Sequence, residues 1–337
     1  MKNLRKLLFP FSLGYKGIMA LRNHAYDQQW FASKRFKLPI IGVGNLSTGG
    51  TGKSPMTEYI VRLLNDQYRV ATLSRGYGRE TSGYRKVQVS SLAKEVGDEP
   101  LQFKQKFPEL SVTVDENRIR GIQKIREDEN TADVIVLDDI YQHRKVHPGF
   151  LILLTSYDAP FYEDLVLPAG NLRESRRGAQ RADVVVITKC PPDLDVNTQK
   201  ISAQKVKKYT DSPVYFSSIT YDDVARGVED KVLSEFKKSS FTLVTGIAKP
   251  QPFMEYLLTK GLHFEEKHFA DHHNFTEKEL ATLDEIPVIL TTEKDYVRLK
   301  PYLKKTKLFY LPIRFSFLNG ERAFNDLIKN YMKNDRN

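Results

Sequence analysis

The sequence predicts an α/β protein, with a mostly parallel sheet covered by helices on both faces, a smaller C-terminal α/β lobe and an N-terminal amphipathic helix. Three observations carry this. Short β-branched runs alternate with amphipathic stretches along most of the 337 residues. One early run, Pro39-Ile40-Ile41-Gly42-Val43, leads through a glycine-rich loop into Met56, Tyr59, Ile60, Leu63 and Leu64 at helical spacing. Ahead of it, Lys2, Arg5, Lys6, Lys16 and Arg22 all precede the first acidic residue, Asp27.

The elements follow in order. Residues 1–30 are expected to form the N-terminal helix, with Phe11, Tyr15, Ile18 and Met19 on one face. A spanning helix needs about 20 apolar residues, and Lys16 and Arg22 interrupt this run too soon. Ser12-Leu13-Gly14-Tyr15-Lys16 makes a poor secretory cleavage site. A basic helix on an anionic membrane surface fits, with roughly 1 kcal/mol available per cation; a helix packed on its own domain is the alternative. Residues 31–206 are expected to form the core, with strands at Arg69–Leu73, Ser111–Val114, Val134–Leu137, Leu151–Leu154 and Val184–Thr188. The pattern loosens around Pro191-Pro192-Asp193 and Lys205–Lys208. Strands resume at Val214–Phe216, Phe241–Val244, Val288–Leu290 and Leu308–Leu311, so 207–337 is expected to be the smaller lobe.

Composition narrows the partners. The only cysteine, Cys190, excludes an intrachain disulfide framework and suits a reducing compartment. A net charge of +10 calls for an anionic partner. No zinc-finger spacing, basic-aromatic strand signature or basic helix leading into heptads is present, so no nucleic-acid partner is expected.

The loop Gly44-Asn45-Leu46-Ser47-Thr48-Gly49-Gly50-Thr51-Gly52-Lys53-Ser54-Pro55 matches a phosphate loop except that Ser47 stands where the consensus has Gly. Backbone N–H groups of Ser47, Thr48, Gly49, Gly50, Thr51 and Gly52 would cradle the phosphates of a nucleotide. Lys53 would reach the β- and γ-phosphates, and the Ser54 hydroxyl would hold Mg²⁺. The helix N-terminus adds its positive dipole end, and Pro55 falls where no intrahelical N–H is needed.

Val134-Ile135-Val136-Leu137-Asp138-Asp139 ends an apolar run in two carboxylates, the form of a magnesium-binding strand end or of a helix cap. His143 follows, suited to contact phosphate or orient a carboxylate. In Gly97-Asp98-Glu99-Pro100, Asp98 is either an N-cap or a general base for an attacking hydroxyl. Asp271-His272-His273 lacks a third ligand at zinc spacing, and His272 is the candidate to accept or relay a proton from Asp98. Ser74-Arg75-Gly76-Tyr77-Gly78-Arg79 and Leu167–Arg177 supply arginine forks for anions. Thr188-Lys189 and Thr291-Thr292-Glu293-Lys294-Asp295 do not fit the guanine-reading N-K-x-D pattern, which leaves a GTPase or metallochaperone-type NTPase as the weaker reading.

Taken together, these motifs resemble the tetraacyldisaccharide 4'-kinase family, the lipid A 4'-kinases of Gram-negative envelopes. The resemblance runs from the N-terminal helix to Thr292-Glu293-Lys294-Asp295. It implies a two-lobed P-loop kinase that moves the ATP γ-phosphate onto the 4'-hydroxyl of an acylated glucosamine disaccharide 1-phosphate, at the cytoplasmic face of the inner membrane. It also implies Asp98 with His272 as the base pair and Lys53 as the phosphate lysine. Ser54, Asp138 and Asp139, assisted by Glu174, would hold Mg²⁺, and Arg75, Tyr77, Arg118, His143 and Arg173 would contact substrate. One departure is Ile140-Tyr141, where the family usually follows the two acids with Gly and then Leu or Phe. A β-branched Ile disfavours the positive φ that Gly allows.

Overall fold

The computed structural model describes residues 5–128, 132–271 and 273–334. Helix α1 (Phe9–Asp27) precedes β1 (Ile40–Asn45), α2 (Lys53–Leu64), β2 (Val70–Ser74) and the short β3 (Arg85–Lys86). Then come α3 (Ala93–Val96), α4 (Asp98–Lys106), β4 (Ser111–Val114), α5 (Arg118–Arg126), β5 (Val134–Asp138), β6 (Phe150–Ser156) and β7 (Val184–Thr188). Helix α6 (Val196–Lys207) leads to β8 (Val214–Tyr221), and the chain then leaves for a second sheet through β9 (Val224–Gly227) and β10 (Lys231–Val232). There follow β11 (Thr242–Thr245), α7 (Gln251–Thr259), β12 (Glu265–His268), α8 (Glu277–Asp284), β13 (Val288–Thr292), α9 (Glu293–Leu299) and β14 (Lys307–Leu311). Strand β15 (Ile313–Phe317) and α10 (Glu321–Asn334) close the chain.

The large sheet runs β15-β8-β7-β6-β1-β5-β2-β4-β3, parallel except for its edges β15 and β3. Every residue of β1, β5, β6 and β7 is buried. That is why these strands read as continuous apolar runs: both faces of a parallel sheet are covered. The second sheet runs β10-β9-β14-β13-β11-β12, with β14, β13, β11 and β12 parallel. One apolar core lies on each face of the large sheet, and one of them continues into the small lobe through Val297 and Leu299 of α9, which packs on α4.

Strand pairing divides the chain differently from the expected break after residue 206. Strand β8 joins the large sheet beside β7, and β15 returns antiparallel to it, from Ile313 opposite Tyr221 to Phe317 opposite Ser217. Helix α10 also covers the large sheet, where the Tyr331 hydroxyl accepts from the Ile40 N–H at 2.9 Å. The lysine-rich stretch taken for a boundary is the end of α6. The small lobe is therefore an insertion between β8 and β15.

Helix α1 docks on the large lobe. Ser12 accepts from the Ala169 N–H, Tyr15 donates to the Arg173 carbonyl, and Asn23 donates to Glu174. Tyr15 thus faces the protein, which corrects the expected apolar face. The solvent side carries Phe11, Ile18 and Leu21, each at least 66% exposed, with Leu7 exposed ahead of the helix and Trp30 and Phe31 beyond its end. Among the described residues, no helix is long and apolar enough to cross a membrane.

Candidate active site

The loop after β1 is fastened from outside. Asn45 Nδ2 donates to the Gly49 carbonyl at 3.4 Å, Lys189 Nζ to that of Gly50 at 2.6 Å, and the Thr188 hydroxyl to that of Thr51 at 2.8 Å. The Gly52 carbonyl accepts from Met56 as α2 begins. Thr48 is tied to the Asn171 carbonyl, and Ser47 bridges to Leu172. Lys53 opens α2, with its ammonium 3.7 Å from Asp139 Oδ1, and Ser54 follows it.

Strand β5 lies next to β1, so its two terminal acids arrive beside this loop. Asp138 is buried, and among the described residues its Oδ1 has no hydrogen-bond partner. Burial above all, then the charges of Glu99 and Asp139, outweigh Lys53 and Arg118 and push its carboxyl up to about 7. Burial acts the same way on Asp139, but the hydrogen bonds from Arg173 at 2.9 and 3.2 Å and the charge of Lys53 win, lowering it to about 2. Two adjacent carboxylates are thereby driven apart in acidity: burial dominates at Asp138, whereas the Arg173 hydrogen bonds and Lys53 outweigh it at Asp139.

The positive φ in this turn, 49°, falls on Asp139 and not on Ile140. The departure at Ile140-Tyr141 therefore carries no backbone strain, and Gly44 makes room for it: a Cβ there would stand 2.8 Å from Tyr141 Cβ.

Around the acids, Arg118 is buried at the start of α5, donating to the carbonyls of Asp115 and Asp138. Burial brings its guanidinium down to about 10. Burial and the charge of Arg118 hold His143 down at about 4, so the ring is neutral at pH 7. Arg75 is exposed, and its charge reaches both Arg118 and His143. Tyr77 is 73% exposed on the same loop.

Asp98 begins α4, brought in by a close backbone approach: a Cβ on Gly97 would stand 2.9 Å from the Tyr77 carbonyl oxygen. Arg298 of the small lobe reaches it, Nε to Oδ1 at 3.6 Å. His272 lies outside the described residues. Its neighbours are fastened, Asp271 to Lys294 at 3.1 Å and His273 to Glu279 at 3.0 Å.

Two readings change. Glu174, expected to assist at the metal, is buried with both oxygens engaged: Arg181 at 2.8 and 2.9 Å, Asn23 at 2.8 Å and Gln142 at 3.3 Å. It ties α1 to the site, because a satisfied buried ion pair has no lone pairs to spare. Glu99, to which sequence reasoning gave no role, is close enough to act on Asp138; its signal was the acidic pair in Gly97-Asp98-Glu99. A cavity of about 520 Å³ runs from Ser54, Glu99 and Lys189 to Tyr221, Ile247 and Phe253 between the lobes, with Lys249, Glu293 and Lys294 also lining it.

A phosphate loop on a parallel sheet, with acids at the neighbouring strand end and a cleft of nucleotide size between two lobes, defines a P-loop kinase. The comparisons carry this further: the model of the family described as tetraacyldisaccharide-1-P 4'-kinase matches residues 4–333, and the chain belongs to that family. A Flavobacterium johnsoniae protein named tetraacyldisaccharide 4'-kinase is 47% identical over 99% of this chain and 98% of its own. One of the same name from Bacteroides thetaiotaomicron is 40% identical over 99% and 95%. The Aquifex aeolicus LpxK structure in complex with ATP superimposes with a TM-score of 0.80 at 30% identity, covering 98% of this chain and 99% of that one. The chain is an ATP-dependent kinase of lipid A biosynthesis, and the GTPase and metallochaperone readings fall away.

Proposed function

We propose that the enzyme transfers the γ-phosphate of ATP to the 4'-hydroxyl of a tetraacylated glucosamine disaccharide 1-phosphate at the cytoplasmic face of the inner membrane. The observation that carries the membrane side of this reading is α1. Its inner face is hydrogen-bonded to Arg173 and Glu174 beside Asp139, while Phe11, Ile18 and Leu21 stand exposed on the other. An acceptor held by its acyl chains at an anionic bilayer would therefore meet the site without leaving the surface.

Phosphoryl transfer asks the protein mainly for position and charge. Asp98, with His272, accepts the proton of the 4'-hydroxyl. Lys53 moves from Asp139 to the β- and γ-phosphates. The unpartnered Oδ1 of Asp138 fits a magnesium ion held by Ser54, Asp138 and Asp139, with Glu99 nearby. When bound, such an ion would neutralise charge on the transferring phosphates. Arg173 keeps Asp139 oriented through its hydrogen bonds to both carboxylate oxygens. Arg75, Tyr77, Arg118 and neutral His143 offer the donors for the phosphate and sugar groups of the acceptor.

Labelled ATP and the disaccharide 1-phosphate in detergent micelles test this directly. A new 4'-phosphate that requires magnesium is expected. ATP turnover without product, or a marked preference for GTP, would overturn it.

A further inference from the structure

We propose that Thr188 and Lys189, at the carboxyl end of β7, are positioning residues that hold the phosphate loop in its polyphosphate-binding shape. The hydroxyl of Thr188 reaches the Thr51 carbonyl at 2.8 Å, and the ammonium of Lys189 reaches the Gly50 carbonyl at 2.6 Å. These are successive carbonyls of the loop. In a planar trans peptide the C=O of one residue and the N–H of the next point in opposite directions. Drawing the Gly50 and Thr51 carbonyls toward β7 therefore turns the N–H groups of Thr51 and Gly52 away from it, into the concave side of the loop. Successive inward N–H groups are what an anion nest consists of.

The anchors are themselves fixed. The Thr188 carbonyl accepts from the Tyr157 N–H at 2.9 Å, and the Cys190 N–H donates to the Ser217 carbonyl at 2.9 Å. Between them Lys189 sits in the left-handed region, with φ of 58°. A lysine in that conformation is strained and persists only where its surroundings determine it. Position matters as well: β7 lies two strands from β1 across β6, and Lys189, just past its end, comes so near the loop that a Cβ on Gly50 would stand 3.7 Å from its Nζ.

The test reads nucleotide binding by the full chain with no acceptor present, so it does not depend on the acceptor chemistry. Lys189→Met and Thr188→Val would be titrated with ATP, inorganic tripolyphosphate and adenosine. Affinity for ATP and tripolyphosphate is expected to fall about tenfold for Lys189→Met and about threefold for Thr188→Val, with adenosine binding unchanged. In steady state, KM for ATP rises while kcat stays within about threefold. Lys189→Arg, which keeps a cationic donor, restores most of the affinity and serves where Lys189→Met does not fold. Equal losses for adenosine and ATP would mean general damage or contact with the base, and would overturn the proposal. Unchanged affinity for tripolyphosphate in both variants would overturn it too.

Discussion

On the large lobe, Asn45, Asp138, Asp139, Thr188 and Lys189 stand at or one residue beyond the carboxyl ends of parallel strands, and Lys53 opens the helix that follows β1. The small lobe sends side chains across instead: Arg298 to Asp98, Glu293 to Lys106 at 2.7 Å, and Lys249 to Asp158 at 3.0 Å. The first set is held by backbone and strand register, the second by ion pairs between bodies joined through β8 and β15. Donor phosphates thus meet a surface that is complete on one lobe, whereas the proposed base is in contact with both. Changes on the large lobe should alter nucleotide binding, and changes at the crossing pairs should alter turnover.

The sharpest way to break this contrast is Asp98→Ala. Turnover should fall by about 10² to 10⁴, the range of general acid–base catalysis, with ATP affinity nearly unchanged. A near-wild-type rate would leave Asp98 as no more than an acid in the first turn of α4, whose N-cap is Gly97. Arg298→Gln should lower kcat by about tenfold to a hundredfold and leave KM for ATP alone. Arg298 is itself held by Asp295, whose carboxylate accepts from the Gly246 N–H at 2.9 Å, so its head is positioned within the small lobe before it reaches Asp98. Breaking one side of a buried pair can cost about 3 to 5 kcal/mol of stability, so rates are compared below the variant's melting temperature. In the Asp98→Ala background the second substitution should add little, because residues acting as a unit are not additive. Additive losses would mean that Arg298 acts elsewhere.

The same contrast governs what the sequence revealed. The phosphate loop, the acid-ended β5 and the buried strands around them were legible because their signals are local: β-branched runs, glycines, and a lysine followed by a hydroxyl. Polar or very short edges were not. Strand β12 reads Glu-Glu-Lys-His with no alternation, and β15 follows β14 with only Pro312 between them. Tyr15 was placed on the apolar face because the helical wheel puts it there; its hydroxyl partner is 158 residues away. Glu174 was given a place at the metal by the family resemblance, and only the fold shows Arg181 and Asn23 occupying it. Thr188-Lys189 fails as a base-reading motif and instead hydrogen-bonds to the loop carbonyls, a contact that no spacing rule encodes.

The smallest predicted effect needs neither the small lobe nor a substrate. Asp138 has its folded value raised to about 7, against about 3.9 in an unfolded chain. The unfolded chain gives up that proton first as pH rises, so the contribution of Asp138 is most favourable below about pH 4 and is lost as pH climbs to about 7. Asp139, lowered to about 2, contributes above about pH 4 and stays ionised throughout that climb. His143, lowered to about 4 against about 6.5 unfolded, works in the opposite direction, since stability rises as pH goes from 4 to 6.5. The two trends offset each other in the wild type below pH 6.5, so the contrast is read as a difference. Without magnesium, Asp138→Asn should gain stability relative to wild type between pH 4.5 and 8, by on the order of 1 to 3 kcal/mol, measured by denaturant titration. A difference that stays flat with pH would mean that the carboxylate is already compensated by Lys53 and Arg118, and the large lobe would then hold its acids at no cost before any cation binds.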